Sequence, residues 1–359
     1  MKNQDPSQEH LQSIISLYNA GKLQQALSEA TQMMERFPNS FILYNISGAS
    51  NAALKRFDAA IVSYKQALRI KPDYAEVHNN MGSALSDKGD FEGAIKSYKQ
   101  ALRIKPDYAG AYNNMGNALS SKGDLEEAIE SYKQALRIKP DFAGAYNNMA
   151  NAMKNKGDLA EAIESCKQAL KIKPDYADAY YNMANAMKDK GDLAEAIDSY
   201  KQALKIKPNY ASAYYNMGNA LNEKGNPEVA IDSFKQAIKI KPDYALAYNN
   251  MGNALSSKGD LEGAIDCYNQ AIRIKPDYAE GHCNLGAVLQ LLNQSEPALA
   301  SYEKAISLKK DFNEAISGLG LLLLNKGKHS EGLDKLIQGE GSILFSIEKG
   351  FSVKSGGKE

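Results

Sequence analysis

The stretch YAEVHNNMGSALSDKGDFEGAIKSYKQALRIKPD, residues 74–107, decides the fold, because the next 34 residues nearly copy it and so does the stretch from Phe142. Proline marks the period. Pro38, Pro72, Pro106, Pro140, Pro174, Pro208, Pro242 and Pro276 stand 34 residues apart. A fixed period of this length signals stacked two-helix units rather than a single globular core.

The copy Ala109–Phe142 shows why each unit is a helix pair. Tyr112, Met115, Gly116 and Leu119 recur at helical spacing and form one face of a first helix. Gly123 supplies a left-handed stop. Asp124 is placed to cap a second helix, with Glu127 three residues on completing a capping box. Ala128, Ile129, Tyr132, Ala135, Leu136 and Ile138 form the apolar face of that helix. Lys133, Arg137 and Lys139 suit its C-terminal half, and Pro140 ends it. Gly82, Gly116, Gly218, Gly252 and Gly286 recur within first helices, with Ala150 and Ala184 in the same place. Glycine there costs about 1 kcal/mol against alanine. Close approach of the partner helix is the expected reason, with Ala94, Ala128 and their equivalents as the facing small residues.

These residues and their spacing resemble the tetratricopeptide repeat: a large residue, Leu/Met, Gly, Leu, Ala, Tyr, Ala and Pro in that family's order, over about residues 7–339. The resemblance implies an all-α fold, a right-handed superhelical solenoid of antiparallel helix pairs in 34-residue repeats. It also implies first helices lining a concave groove and second helices forming the convex side. Residues 1–6 are expected to be disordered, 7–312 to form nine repeats, 313–339 a degenerate tenth repeat or cap, and 340–359 an extended or disordered tail. Repeats one to ten below begin at Ser7, Phe41, Ala75, Ala109, Ala143, Ala177, Ala211, Ala245, Ala279 and Asn313.

Within such a repeat, positions two, five, six, nine, twelve and thirteen are the family's groove positions. Position six is Asn80, Asn114, Asn148, Asn182, Asn216, Asn250 and Asn284. Position nine adds Asn117, Asn151, Asn185, Asn219 and Asn253. Position five adds Asn79, Asn113, Asn147 and Asn249, with Tyr181 and Tyr215 between. Asparagine is a weak helix former, so local folding does not select it. Its amide carries donors and an acceptor, the complement of a peptide backbone. The row is similar to the asparagine ladder in the superhelix of O-linked N-acetylglucosamine transferases, and implies binding of extended protein or peptide segments. Recent duplication of a soluble polar face is the competing reading, though divergent repeat nine keeps Asn284.

Other chemistries find little support. The family's dicarboxylate clamp needs cations at positions two, five and six, where Gly110, Asn113, Asn114, Gly144, Asn147 and Asn148 stand. A basic row, Lys99, Arg103, Lys133, Arg137, Lys167, Lys171, Lys201, Lys205, Lys235 and Lys239, reads as helix-dipole matching with pairs such as Glu130 with Lys133. Lys+Arg and Asp+Glu are both 43, against the basic footprint of a nucleic-acid binder. His78 and His282 take the large-residue position and are read as packing. No catalytic set, cofactor motif or metal-ligand spacing appears. Cys166, Cys267 and Cys283 read as reduced thiols, pointing to the cytoplasm. No signal peptide or membrane-length apolar run is found, so membrane contact is not expected. The leading expectation is a non-enzymatic scaffold. Self-assembly, as in magnetosome-associated repeat proteins resembled at family level, is an alternative. A targeting part for a separate glycosyltransferase domain is another.

Overall fold

A computed structural model describes residues 5–340, 343–346 and 350–353. Among these residues the chain is helical up to Glu340, two helices to each repeat. In repeat four the helices are Ala109–Lys122 and Leu125–Ile138, and in repeat ten Asn313–Asn325 and His329–Glu340. The expected stop is present: Gly123 has φ +97, with repeats three to eight all turning on a left-handed glycine. Asn293 serves in repeat nine at φ +57, and Lys55, with no glycine available, does so in repeat two at φ +59.

Two local expectations need correction. Asp124 makes no side-chain cap and no capping box forms. Its carboxylate pairs with Lys122 at 3.0 Å instead. Lys122 also lies 3.8 Å from Glu92; where the equivalent lysine sits closer to that other carboxylate, Lys88 at 2.6 Å from Asp58 and Lys258 at 3.4 Å from Glu228, it does not pair with the capping aspartate. Asp90 and Asp260 then accept from the backbone N–H of Gly93 and Gly263 at 2.9 and 3.0 Å. The mid-helix glycines, moreover, do not face the small alanines. A Cβ on Gly116 would lie 2.6 Å from the ring of Tyr132, and Gly48, Gly82, Gly218 and Gly252 meet Tyr64, Tyr98, Phe234 and Tyr268 likewise. The glycine is a hole for an aromatic knob. Burying that ring is worth about 1.5–3 kcal/mol, more than the glycine costs the helix. Ala150 stands sixteen residues before Cys166, where the knob is small.

The chain forms two compact units, one ending at Ala186 and one beginning at Met187. In the first, one continuous core runs from Ala75 to Ala152 through Tyr98, Met115, Leu119 and Tyr132. In the second, Tyr268 and Val288 anchor one cluster, Tyr302, Leu319 and Leu323 another. Within each unit, first helices of successive repeats touch one another, whereas second helices touch mainly their own and the following first helix. First helices are therefore the tightly spaced layer. Between repeats, the lysine before each of the spaced prolines from Pro72 to Pro276 stacks on the aromatic that closes the repeat, from 4.2 Å for Lys207 over Tyr210 to 5.4 Å for Lys139 over Phe142. Beyond Glu340, strands Ile343–Ser346 and Gly350–Val353 pair antiparallel, Ile343 opposite Val353. The expectations for residues 1–4 and for the rest of the tail lie outside the described residues.

Candidate functional site

The asparagines of the first-helix layer lie where helix period puts positions five, six and nine: one buried, one half-buried, one outermost. Asn113 is 8% exposed, Asn114 and Asn148 are half-buried, and Asn117, Asn151 and Asn253 are exposed. Asn185 and Asn219 are half-buried.

Positions five and six form a ladder. The Nδ2 group of Asn114 donates to Oδ1 of Asn79 at 3.2 Å, Asn148 to Asn113 at 3.1 Å, and Asn182 to Asn147 at 2.9 Å. In the second unit Asn284 donates to Asn249 at 2.9 Å. Each bond joins residues 35 apart, and each runs from position six of one repeat to position five of the repeat before. Asn45, which the sequence reading did not single out, opens the ladder by accepting from Asn80 at 3.4 Å. Its repeat has Ile46 at position six, so it lacks the position-six asparagine that marks repeats three to nine. The first role of these amides is thus to fasten neighbouring repeats. A buried amide with its partner in place contributes about 0.5–1.5 kcal/mol.

Tyr215 changes the route. At position five of repeat seven it accepts from Asn250 through its hydroxyl at 3.1 Å, and its ring packs 5.0 Å from Tyr244 and 6.1 Å from Phe234. The same Asn250 amide donates to Oδ1 of Asn219 at 2.8 Å. Tyr181 and Asn216 are half-buried in the same layer.

Position nine is turned outward. Oδ1 of Asn117 accepts from the hydroxyl of Tyr132, and Oδ1 of Asn253 from that of Tyr268, both at 2.8 Å. Among the described residues nothing accepts from the NH2 groups of Asn117 and Asn253. Towards the C-terminus this chemistry changes: position nine is Ala287 and then Leu321, which is 49% exposed, and Leu291 at position thirteen of repeat nine is 66% exposed.

The remaining candidates are structural. His78 and His282 donate through Nε2 to the carbonyls of Pro72 and Pro276 at 3.0 and 3.2 Å, tying the turn to the first helix. Cys166, Cys267 and Cys283 are free and buried. Burial pushes Cys166 up to about 12 and Cys283 up to about 11, so Cys283 at position five is a protonated, unreactive thiol. In the basic row, Glu130 holds Arg137 at 3.9 Å and accepts from Gln134, rather than pairing with Lys133. Lys201 and Lys235 pair with Asp198 and Asp232 three residues back. Such exposed pairs contribute little to stability.

The period, the knob-and-hole glycines and the helix pairs find their counterpart in a family model described as "TPR repeat". It matches residues 51–88, 82–123, 116–157, 154–191, 184–225, 218–259 and 252–293. A second model, "Tetratricopeptide repeat", matches 279–312. The chain belongs to the tetratricopeptide repeat family. Among solved structures, this tetratricopeptide repeat chain is similar to MamA, with 30% identity over 46% of this chain and 96% of that one, at a TM-score of 0.42. YrrB, described as a TPR protein with an unusual peptide-binding site, is 24% identical over 51% of this chain and 95% of that one, at 0.42. A chain of the APC/C hetero-tetramer Cut9–Hcn1 is 15% identical over 92% of this chain and 80% of that one, at 0.53, a likeness of fold alone. A search of curated proteins returns no match. Among the described residues, no helix is long and apolar enough to cross a membrane.

Proposed function

We propose that this chain is a non-catalytic interaction scaffold that binds extended polypeptide segments along the first-helix face of each unit. The observation that carries it is the outward row at position nine. Asn117 and Asn253 offer uncommitted NH2 groups on a layer whose deeper amides are already bonded. A ligand therefore meets donors that do not have to give up an internal partner, on backbone that does not have to be ordered first. Repeats stacked this way present extended binding surfaces. Residues 7–312 are the binding repeats in this reading, and 313–339 the cap. Balanced charge favours a protein partner over nucleic acid. Three buried, unpaired thiols favour the reducing cytoplasm.

The test avoids the ladder, since position-six variants would loosen the fold as well as the site. Peptides selected from a random displayed library are measured against the triple variant Asn117→Ala, Asn151→Ala, Asn253→Ala. About tenfold weaker binding with unchanged helicity is expected, from losing hydrogen bonds each worth about 0.5–1.5 kcal/mol. Equal affinity removes the proposal. Exposed Leu291 and Leu321 favour self-association as a second reading. Light scattering across a concentration series decides it, and a strict monomer ends it.

A further inference from the structure

The position-nine amides do not choose their own orientation. Tyr132 and Tyr268 are 1% and 2% exposed, with their rings seated against Gly116 and Gly252. Beyond those rings the hydroxyls donate to Asn117 and Asn253. A donating phenol can meet only the carbonyl end of an amide, so the NH2 end must face away. Burial raises both phenols well above their ordinary value, which keeps them protonated and donating. Neighbouring amide oxygens are engaged as well. Oδ1 of Asn114 accepts from Asn113 at 3.4 Å, and Oδ1 of Asn250 accepts from Asn249 at 3.1 Å. Where Phe234 has no hydroxyl, Asn250 donates to the oxygen of Asn219 in its place. The position-six amides of Asn114 and Asn250 thus have both ends bonded within the fold, and at Asn117 and Asn253 only the oxygen is taken, which leaves the N–H to face outward.

We propose that Tyr132 and Tyr268 are specificity-determining positioning residues, which turn Asn117 in one unit and Asn253 in the other donor-outward, so that the first-helix face of each unit holds a ligand by its carbonyl oxygens and favours proline-rich segments. This rests on the peptide-binding reading above. An ordinary strand brings a backbone N–H with every carbonyl, and docking strips water from both. A lining of donors satisfies the carbonyls and leaves the N–H groups stranded. Proline has no N–H, and proline-rich chain is already extended with its carbonyls free. Such a ligand loses nothing that this face fails to replace.

The experiment titrates decaproline, and separately a Gly-Ser peptide of equal length, into the 15N-labelled full chain while following the asparagine side-chain NH2 signals. Decaproline is expected to move Asn117 and Asn253 and to bind at least as tightly as the Gly-Ser peptide. The double variant Asn117→Asp, Asn253→Asp keeps size and keeps an acceptor for each tyrosine, but removes the donors. It should weaken decaproline about tenfold or more. Tyr132→Phe with Tyr268→Phe should weaken it about threefold, since the amides are then free to turn. The fold accepts phenylalanine there, as Phe234 shows. If the Gly-Ser peptide binds and decaproline does not, or the aspartate variant binds decaproline unchanged, carbonyl selection is overturned while the peptide-binding face stands. If neither peptide moves a first-helix amide, the face itself is not a peptide site, and this inference falls with it.

Discussion

Repeat four and repeat ten solve helix pairing by opposite means. In repeat four a hole at Gly116 receives the ring of Tyr132, and the side chains Asn113 and Asn114 reach the repeats on either side. In repeat ten the two backbones meet directly. A Cβ on Gly320 would lie 2.9 Å from the carbonyl oxygen of Gly332, and one on Gly332 would lie 2.9 Å from that of Gly320. Position five there is Ser317, whose buried hydroxyl finds no partner among the described residues, and position six is Gly318, pressed against Tyr302. An internal repeat must fasten to two neighbours, so it carries knobs and amides. Repeat ten receives the ring of Tyr302 from repeat nine but carries neither an aromatic knob nor a ladder amide of its own, and draws its two helices together instead.

The sharpest way to break this contrast is a methyl group at each kind of glycine. Gly332→Ala drives a Cβ into backbone that cannot yield, and should cost about 3 kcal/mol, the upper range for overpacking. Gly116→Ala meets a ring that can shift, and should cost about 1 kcal/mol. Ala184 already stands sixteen residues before Tyr200. Hydrogen exchange locates each effect: Gly332→Ala should expose the amides of 313–340 and leave repeat four protected. Equal costs at the two sites would erase the distinction.

Removing polar groups should separate the regions next. Asn113→Ala leaves the NH2 of Asn148 without its acceptor and should destabilise by about 1–3 kcal/mol. Ser317→Ala removes a hydroxyl that is already unpartnered, so denaturant midpoints should stay level or rise. A destabilising Ser317→Ala would mean that the last repeat depends on polar fastening after all.

Alkaline pH probes the knobs. Burial raises Tyr98 and Cys166 to about 12, above the values these groups take in unfolded chain. A group whose folded value is raised contributes fully below its unfolded value, and that contribution is lost as pH climbs towards the folded one. Stability should therefore fall between about pH 9 and pH 12, with tyrosinate absorbance rising in step with loss of helicity. The knob-free pair 313–340 should not lead that transition. The smallest effect concerns the other end of the chain. Lys55 turns repeat two in a left-handed conformation that interior repeats give to glycine, so Lys55→Gly should stabilise by about 1 kcal/mol in thermal unfolding.

Period, helix pairs, stops and family were legible in residues 74–107 because they follow from spacing along one chain segment. The glycine's partner was not. Ala128 and Tyr132 both lie on the apolar face of the second helix, and spacing cannot say which meets Gly116. The cap at Asp124 was misread because Lys122 competes for it, and that competition is settled by Glu228 or Asp58 in other repeats. The amides at positions five, six and nine were found as a set. Their division of labour was hidden, because a bond between residues 35 apart has no trace in any one copy. Asn45 was missed because Ile46 beside it breaks the position-six row.

That 35-residue reach has a consequence for how such a chain can change length. Excise residues 109–142 whole, and Asn148 arrives where Asn114 stood, facing Asn79 with the same geometry. Excise one residue fewer, and the pair across the cut stands 36 apart, so Asn148 turns away from Asn79. Growth and shrinkage by whole modules are therefore silent to the architecture, and anything else is not.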